Sequence, residues 1–520
     1  MRKLITVLLS AISIIANAQE LKINWGPEYK KEGAFYNFLR YGGHTDKAYY
    51  VVQQSLSESK LFIYDFKHNP IGKQDIKYKY GKNLLYLNDI VTTKSGNYFL
   101  MSSYDESQEK ALFAYTMASK SNMLNTNYTK IYEYPFSYKK VVSFVKFNKD
   151  LNNDVKGTTL SLDSSKVLYT YSENLFENKS NNQQVTFLAL DNKMNILYKV
   201  NKSISFQDTK FDLTDNSISN TGDVYLVGKY YENDNDRKTP NYKYHILKFN
   251  AANEYKDILV NLKDAAPLNT TINDLENGNV IAVGTYTNTS NNKSLRANGT
   301  YSVIINSSGE VISSNIYPFS GVVKEELFGD NDKKAEKGAV KYKLKRVLLD
   351  KNTMSTTICL EKDYEIIKQK PSTGSTGFSS SSMSGNIITY YNTDDIIVVR
   401  FDISGKKEFE TIIYKSFTFS DNDAYNSFFV TISNGNYYFI FNDAKTIGER
   451  KDADVSGKVV TDLLQMDKTG KIVSQKTLFG NKDIDMYFSP KLSVKLSKNE
   501  ILIHGSHYRK YKYGIIYLPE

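Results

Sequence analysis

Gly278-Asn279-Val280-Ile281-Ala282-Val283-Gly284 reads as a glycine turn feeding a buried β-strand. Downstream, Tyr301-Ser302-Val303-Ile304-Ile305-Asn306 reads as a second strand that ends in the turn Asn306-Ser307-Ser308-Gly309. There the Asn side chain caps the turn and Gly supplies a positive φ. The pair recurs along the chain. The first strand, B, returns at residues 98–102, 224–228, 437–441 and 501–505, with weaker copies at 49–53, 167–171 and 356–360. The second, C, returns at 61–65, 112–116, 186–191, 244–250, 396–402, 463–467 and 514–518. Asp402-Ile403-Ser404-Gly405 and Asp467-Lys468-Thr469-Gly470 repeat the capped turn.

Eight B–C pairs with no long helical pattern between them predict an all-β fold, a β-propeller of eight four-stranded blades. Seven blades, or two β-sandwich domains, are the alternatives, and no linker marks a boundary for the latter. The last C strand runs almost to Glu520, so the segment 21–25 is expected to close the ring as the outer strand of the last blade. The predicted domain is 19–520, with insertions near 319–341 and 362–394.

The chain has 520 residues, 40% apolar and 24% charged, enough apolar surface for a core. Arg2 and Lys3 precede an apolar run from Leu4 to Ile15, and Ala16-Asn17-Ala18 offers a small-x-small cleavage site. A signal peptide over 1–18 is therefore expected, with the protein exported to the periplasm or the cell exterior. The apolar run is too short to span a bilayer, and no transmembrane segment is expected in the mature chain. Cys359 stands alone, which excludes an intramolecular disulfide and every metal site built on several cysteines. Losing Arg2 and Lys3 takes the formal charge from +10 to +8. That bias favours acidic envelope surfaces, while no dense basic cluster argues for nucleic acid.

In a propeller, B–C connections and D–A connections share one face. The long connections 173–183, 232–241, 288–298, 362–394 and 319–341 all fall there, which makes it the expected functional surface. The Ser/Gly/Thr-rich run 371–385 reads as a disordered insertion rather than a flap. Aromatic and polar residues that follow strand B onto this face are the expected ligand contacts: Tyr104, Asp105, Tyr171, Glu173, Tyr230, Tyr231, Tyr286, Tyr364, Asn442, His507 and Tyr508.

Asp-x-Asp pairs, among them Asp234/Asp236 and Asp421/Asp423, suit a hard cation such as Ca²⁺, although none has the Gly and Glu that an EF-hand loop needs. No other cofactor is expected. His44 is placed where it meets His507 across the ring closure, whereas His504 and His507 point to opposite sheet faces and share no metal. No nucleophile elbow, phosphate loop, zinc-protease motif or dinucleotide fingerprint is present.

The repeat resembles β-propeller proteins as a class, and the exported, Asn-, Lys- and Tyr-rich chain is similar to uncharacterised envelope propellers of Gram-negative bacteria. WD, Kelch and sialidase signatures are missing: Gly42-Gly43 is the only Gly doublet and Trp25 the only Trp. The resulting expectation is a non-catalytic scaffold that binds an envelope protein or glycan through the long-loop face. The alternatives are a polysaccharide hydrolase or lyase with carboxylates at the central opening, and a structural subunit of an envelope complex.

Overall fold

The computed structural model describes residues 23–30, 38–54, 58–105, 107–119, 123–136, 157–171, 182–233, 242–288, 296–329, 342–369, 387–420, 423–444, 459–507 and 510–519. Eight antiparallel sheets form the blades of a β-propeller, each ordered A to D. Blade 1 comprises Phe38–His44, Ala48–Gln54, Ser59–Asp65 and Pro70–Ile76. Blade 2 comprises Tyr86–Thr93, Gly96–Asp105, Lys110–Met117 and Thr129–Pro135. Blade 3 is built from Thr158–Leu160, Lys166–Thr170, Asn182–Asp191 and Ile196–Gln207, and blade 4 from Phe211–Ile218, Val224–Tyr231, Tyr242–Phe249 and Tyr255–Leu259. In blade 5, strand A is broken into Ala265–Pro267 and Thr271–Asp274 before Val280–Asn288, Gly299–Ile305 and Val311–Pro318. Blade 6 has Tyr342–Asp350, Ser355–Gln369, Ile387–Phe401 and Lys407–Ile413, and blade 7 has Phe428–Ser433, Asn436–Ala444, Val459–Met466 and Ile472–Gly480.

Blade 8 is closed by the N-terminal segment. Its own strands are Tyr487–Phe488 with Val494–Lys495, then Glu500–His507 and Lys510–Tyr517. The outer strand is supplied by Ile23–Trp25 and Tyr29–Lys30, in register Ile23↔Ile516, Trp25↔Gly514 and Tyr29↔Tyr511. Blade count, strand order and closure are as the sequence predicts.

The strand types differ in burial because blades stack face to face. Strand B is covered on both sides, so Ala48–Gln54 is buried throughout. Strand D lies at the rim and alternates, as in Val311–Pro318. The capped C–D turns form as expected: Asp402 Oδ1 accepts from Ser404 N (2.9 Å) and Lys406 N (2.8 Å), and Gly405 sits at φ 81°. Asp467 and Asn306 do the same. Strong local turn chemistry sets the register of each C–D hairpin.

Two insertions differ from a plain loop. The segment 319–341 begins with the helix Gly321–Phe328, whose Val323 and Phe328 are buried in the core cluster shared by blades 5 and 6. The segment 362–394 is strand at both ends, as described below, and 371–385 lies outside the described residues.

A histidine latches the closing strand. His68, buried in the C–D turn of blade 1, accepts from Tyr49 Oη at Nδ1 (2.8 Å) and donates from Nε2 to the Asn24 carbonyl (2.9 Å). Tyr29 Oη donates to the His68 carbonyl (2.6 Å). Burial holds the imidazole below its ordinary 6.5, outweighing the Asn24 carbonyl and the Asp65 charge, which act the other way. The neutral form is therefore the folded form, so its stabilisation is complete above about pH 6.5 and is lost as the pH falls below it.

Trp25 packs edge-on against Phe479 at 5.2 Å and is the only tryptophan, so its emission reports on closure. Acidification from pH 7.5 to 5 is expected to red-shift that emission ahead of global unfolding. The substitution His68→Gln, which keeps a donor and an acceptor without titrating, is expected to flatten the response. An equal red shift in the variant would refute the latch.

His44 does not meet His507. Its Nδ1 pairs with Tyr41 Oη at 2.5 Å, and it lies beside Leu496 and Glu500. Glu500 and His507 begin and end strand B of blade 8, seven steps of about 3.3 Å apart. His44 therefore sits at the opposite end of that strand from His507.

Candidate functional site

Antiparallel order A–B–C–D puts every B–C and D–A connection on one face of the ring, and blade 6 dominates that face. Its strands B and C are fifteen residues each. Strand A stops pairing with B at Tyr342↔Lys362, and strand D stops pairing with C at Ile396↔Ile413. The B–C ladder continues from Asp363↔Thr393 to Gln369↔Ile387. Beyond strand D the chain runs on in the same direction as Phe417–Ser420 and pairs farther along strand C, Thr393↔Phe417 to Tyr390↔Ser420. A three-stranded outgrowth thus rises from the blade.

Its foot is ionic. Lys415 Nζ lies 2.7 Å from Glu361 Oε1, and both side chains are fully buried. Lys415 Nζ also donates to the Thr393 carbonyl (3.3 Å), and its backbone N–H to Asp395 Oδ1 (3.2 Å). The next residue, Ser416, donates its N–H to Asp443 Oδ1 of blade 7 (2.9 Å) and its hydroxyl to Asp394 Oδ1 (3.1 Å).

Burial pushes the Asp443 carboxyl up, and Asp462 adds to this against the opposing pull of Ser416 N–H and Lys415. For Asp363 burial acts upward too, but Lys345 and Lys343 outweigh it and hold the carboxyl below its usual range. Carboxylates from two blades converge on one dry amine. With Glu361 and Lys415 sealed from solvent, this arrangement clamps the outgrowth to blade 7.

An aromatic track crosses from the outgrowth to blade 8. Phe417 and Phe419 lie 6.1 Å apart. Phe419 meets Tyr425 edge-on at 4.7 Å and Tyr487 at 5.1 Å, and Tyr487 meets His507 at 5.4 Å. Phe417 and Tyr425 are buried, while Phe419, Tyr487 and His507 are half-buried. Charged groups flank the track: Asp423 pairs with Lys491 Nζ (2.5 Å), and Asp485 lies 3.5 Å from His507 Nδ1 and 3.7 Å from Lys510 Nζ. Rings interleaved with exposed acceptors and amines can stack on flat apolar surfaces and hydrogen-bond their edges.

No family model matches this chain, and no curated protein matches it. Solved structures with a similar fold include a polysaccharide lyase, Uly1, at 9% identity and a TM-score of 0.39 over 94% of this chain and 100% of that one. Hydrazine synthase of Kuenenia stuttgartiensis gives 9% identity and a TM-score of 0.35 over 82% and 94%. A prolyl endopeptidase gives 11% and 0.37 over 91% of this chain but 54% of that one, so the chain spans about half its length.

The residues expected to contact a ligand fall into different settings. Tyr104, Tyr171, Tyr231 and Tyr286 are buried between blades: Tyr171 packs on Tyr169 at 5.8 Å, Tyr231 on Tyr242 at 5.7 Å, and Tyr286 is 2% exposed. Tyr230 is half-buried between Phe206 and His245. Asp105 is held low by Ser107, whose hydroxyl and N–H it accepts. Asn442 joins blade 7 to blade 8, donating to the Tyr425 and Phe488 carbonyls (2.8 Å each) and accepting from Thr461 (3.0 Å).

Tyr364 reaches Asp394 at the outgrowth's foot (3.4 Å), and His507 belongs to the track. Glu173, Tyr508, Asp234, Asp236 and Asp421 lie outside the described residues. Of the described acidic pairs, Asp483 accepts from Gly480 N (2.7 Å) as a helix cap while Asp485 pairs with cations. No group of three or more metal-ligating side chains is found among the described residues. Phe419, Tyr425 and Tyr487 escape sequence reasoning because they follow no strand B. The only signal in the chain is their place at the entrance to strand A of blades 7 and 8.

Proposed function

We propose that this protein is an exported scaffold of the cell envelope that binds a glycan on the long-loop face along the aromatic track. The observation that carries the reading is the track itself: half-buried Phe419, Tyr487 and His507, continuous across three blades and bordered by Asp423, Asp485 and Lys491. Sugar rings present an apolar face and a hydroxyl rim, which such a surface complements. A leader over 1–18 supplies the export route. The ionic foot keeps the outgrowth in register with the track.

The mature chain, immobilised and offered a panel of envelope glycans, is expected to retain a neutral or acidic oligosaccharide. Phe419→Ala and Tyr487→Ala are each expected to weaken that binding about tenfold or more, as central aromatic anchors do. Thermal melts of both variants should remain cooperative. Retention of an envelope protein with no glycan bound would replace the glycan reading with a protein one. Glycan binding indifferent to both substitutions would place the site elsewhere.

A further inference from the structure

Elsewhere on the same face, between blades 4 and 5, Lys229 has no ion-pair partner among the described residues. Lys229 Nζ lies 4.1 Å from the centroid of the Tyr242 ring and 5.4 Å from that of Tyr244. Burial drives its pKa down, opposed by the charge of Asp212. Asp212 is its cross-strand neighbour in register, but no carboxylate comes within ion-pair distance of Lys229 among the described residues. Lys248, Lys407 and Lys415 are each paired, with Asp223 (2.9 Å), Glu410 (2.9 Å) and Glu361 (2.7 Å), whereas Lys512 lies over the Trp25 ring and Lys495 donates to the Ile432 carbonyl. An ammonium group withdrawn from water and left unpaired is costly, and its site gains free energy when an anion arrives.

The surroundings are preorganised. Strand A of blade 5 breaks at residues 268–270, opposite the end of strand B of blade 4. The break is pinned where it stands: Tyr242 and Tyr244 both donate to the Leu268 carbonyl (3.1 and 3.2 Å), and Tyr301 donates to that of Asn269 (3.0 Å). The ring on which the amine rests therefore cannot swing away, because its hydroxyl is tied to the neighbouring blade. Lys229 itself is only half-buried.

We propose that Lys229, seated on Tyr242, is a subsite for the anionic group of an acidic sugar, a carboxylate or a sulfate. This deepens the glycan reading and rests on it. The amine supplies the charge, and the flanking tyrosines exclude water and lower the local dielectric, so the ion pair is stronger than one on an open surface.

The test uses the mature chain with its lysines reductively ¹³C-dimethylated, titrated with oligogalacturonate, with sulfated oligosaccharide and with a neutral cello-oligosaccharide. The Lys229 signal, assigned by its loss in Lys229→Met, is expected to shift with the acidic probes and not with the neutral one. Unmodified Lys229→Met is expected to lose about tenfold or more in affinity for the acidic probe that binds, and Lys229→Arg to keep most of it. Melts should show Lys229→Met folded, since a thioether suits the same aromatic setting.

Response to one acidic probe alone identifies the anion. An acidic probe bound while the Lys229 signal stays still, or Lys229→Met binding acidic glycan as tightly as the wild type, overturns the subsite and leaves the scaffold reading standing. No binding of any glycan overturns both.

Discussion

Replacing Lys415 by methionine is expected to cost the ring about 3–5 kcal/mol, because it leaves Glu361 buried without its cation. Glu361 is completely buried and neither of its oxygens has a hydrogen-bond partner among the described residues, so the 2.7 Å charge pair is its compensation there. In the variant, Glu361 must stay buried without its cation, and that uncompensated burial is the source of the loss.

Urea unfolding of both proteins at pH 8 measures it, and the double variant Glu361→Leu/Lys415→Met should recover most of the loss, since a buried pair replaced by apolar groups is often neutral. A Lys415→Met protein within 1 kcal/mol of wild type at pH 8 would show that the pair does not hold the outgrowth to blade 7. Because the turn 414–416 also hydrogen-bonds Asp395, Asp394 and Asp443, loosening of the aromatic track should accompany the loss of stability.

Gly284→Ala is expected to be at least as damaging. A β-carbon at 284 would stand 2.0 Å from the Asn269 carbonyl oxygen and 2.9 Å from its carbon, both backbone atoms with nowhere to go. Asn269 is fixed on every side: its amide donates to Thr285 Oγ1 (2.7 Å), its Oδ1 accepts from Thr285 N (2.9 Å), and its carbonyl accepts from Tyr301. Relief requires moving the broken strand A of blade 5 and with it the contact to blade 4. A loss of about 3 kcal/mol or more, beyond ordinary overpacking, is expected in urea unfolding.

Gly505→Ala is the control. Gly505 closes the copy of strand B in blade 8 as Gly284 does in blade 5, yet its added carbon would meet nothing nearer than 3.5 Å. It should fall within about 1 kcal/mol of wild type. Equal effects at the two positions would mean that the glycines serve the strand rather than the close approach.

That contrast shows how far the chain can be read. The B and C strands, their order and the capped turns at Asn306, Asp402 and Asp467 are legible because each rests on a few adjacent residues: β-branched runs buried on both faces, and an Asx side chain bonding its own backbone. Counting those local units yields eight blades, and the pairing of Ile23–Trp25 with Lys510–Tyr517 makes the N-terminal segment the closing strand. The stretch around 362–394 conceals its strands, since its Thr-, Tyr- and Asn-rich run is fixed by pairing with strand B on one side and with Phe417–Ser420 on the other.

The site was less legible, for the same physical reason. Tyr231 and Tyr286 look like ligand rings from their place after strand B, but neighbouring blades cover them. Tyr487 and Phe419 carry no local mark, and they meet only because three blades stack. Short-range propensity and turn geometry, written in neighbouring residues, determined the module, its repetition and the face on which long connections emerge. Which aromatic rings stay half-exposed, which lysine finds a carboxylate and which glycine is crowded depend on inter-blade contacts between residues tens to hundreds of positions apart. Only the closed ring, by stacking each sheet on the next, brings those residues together.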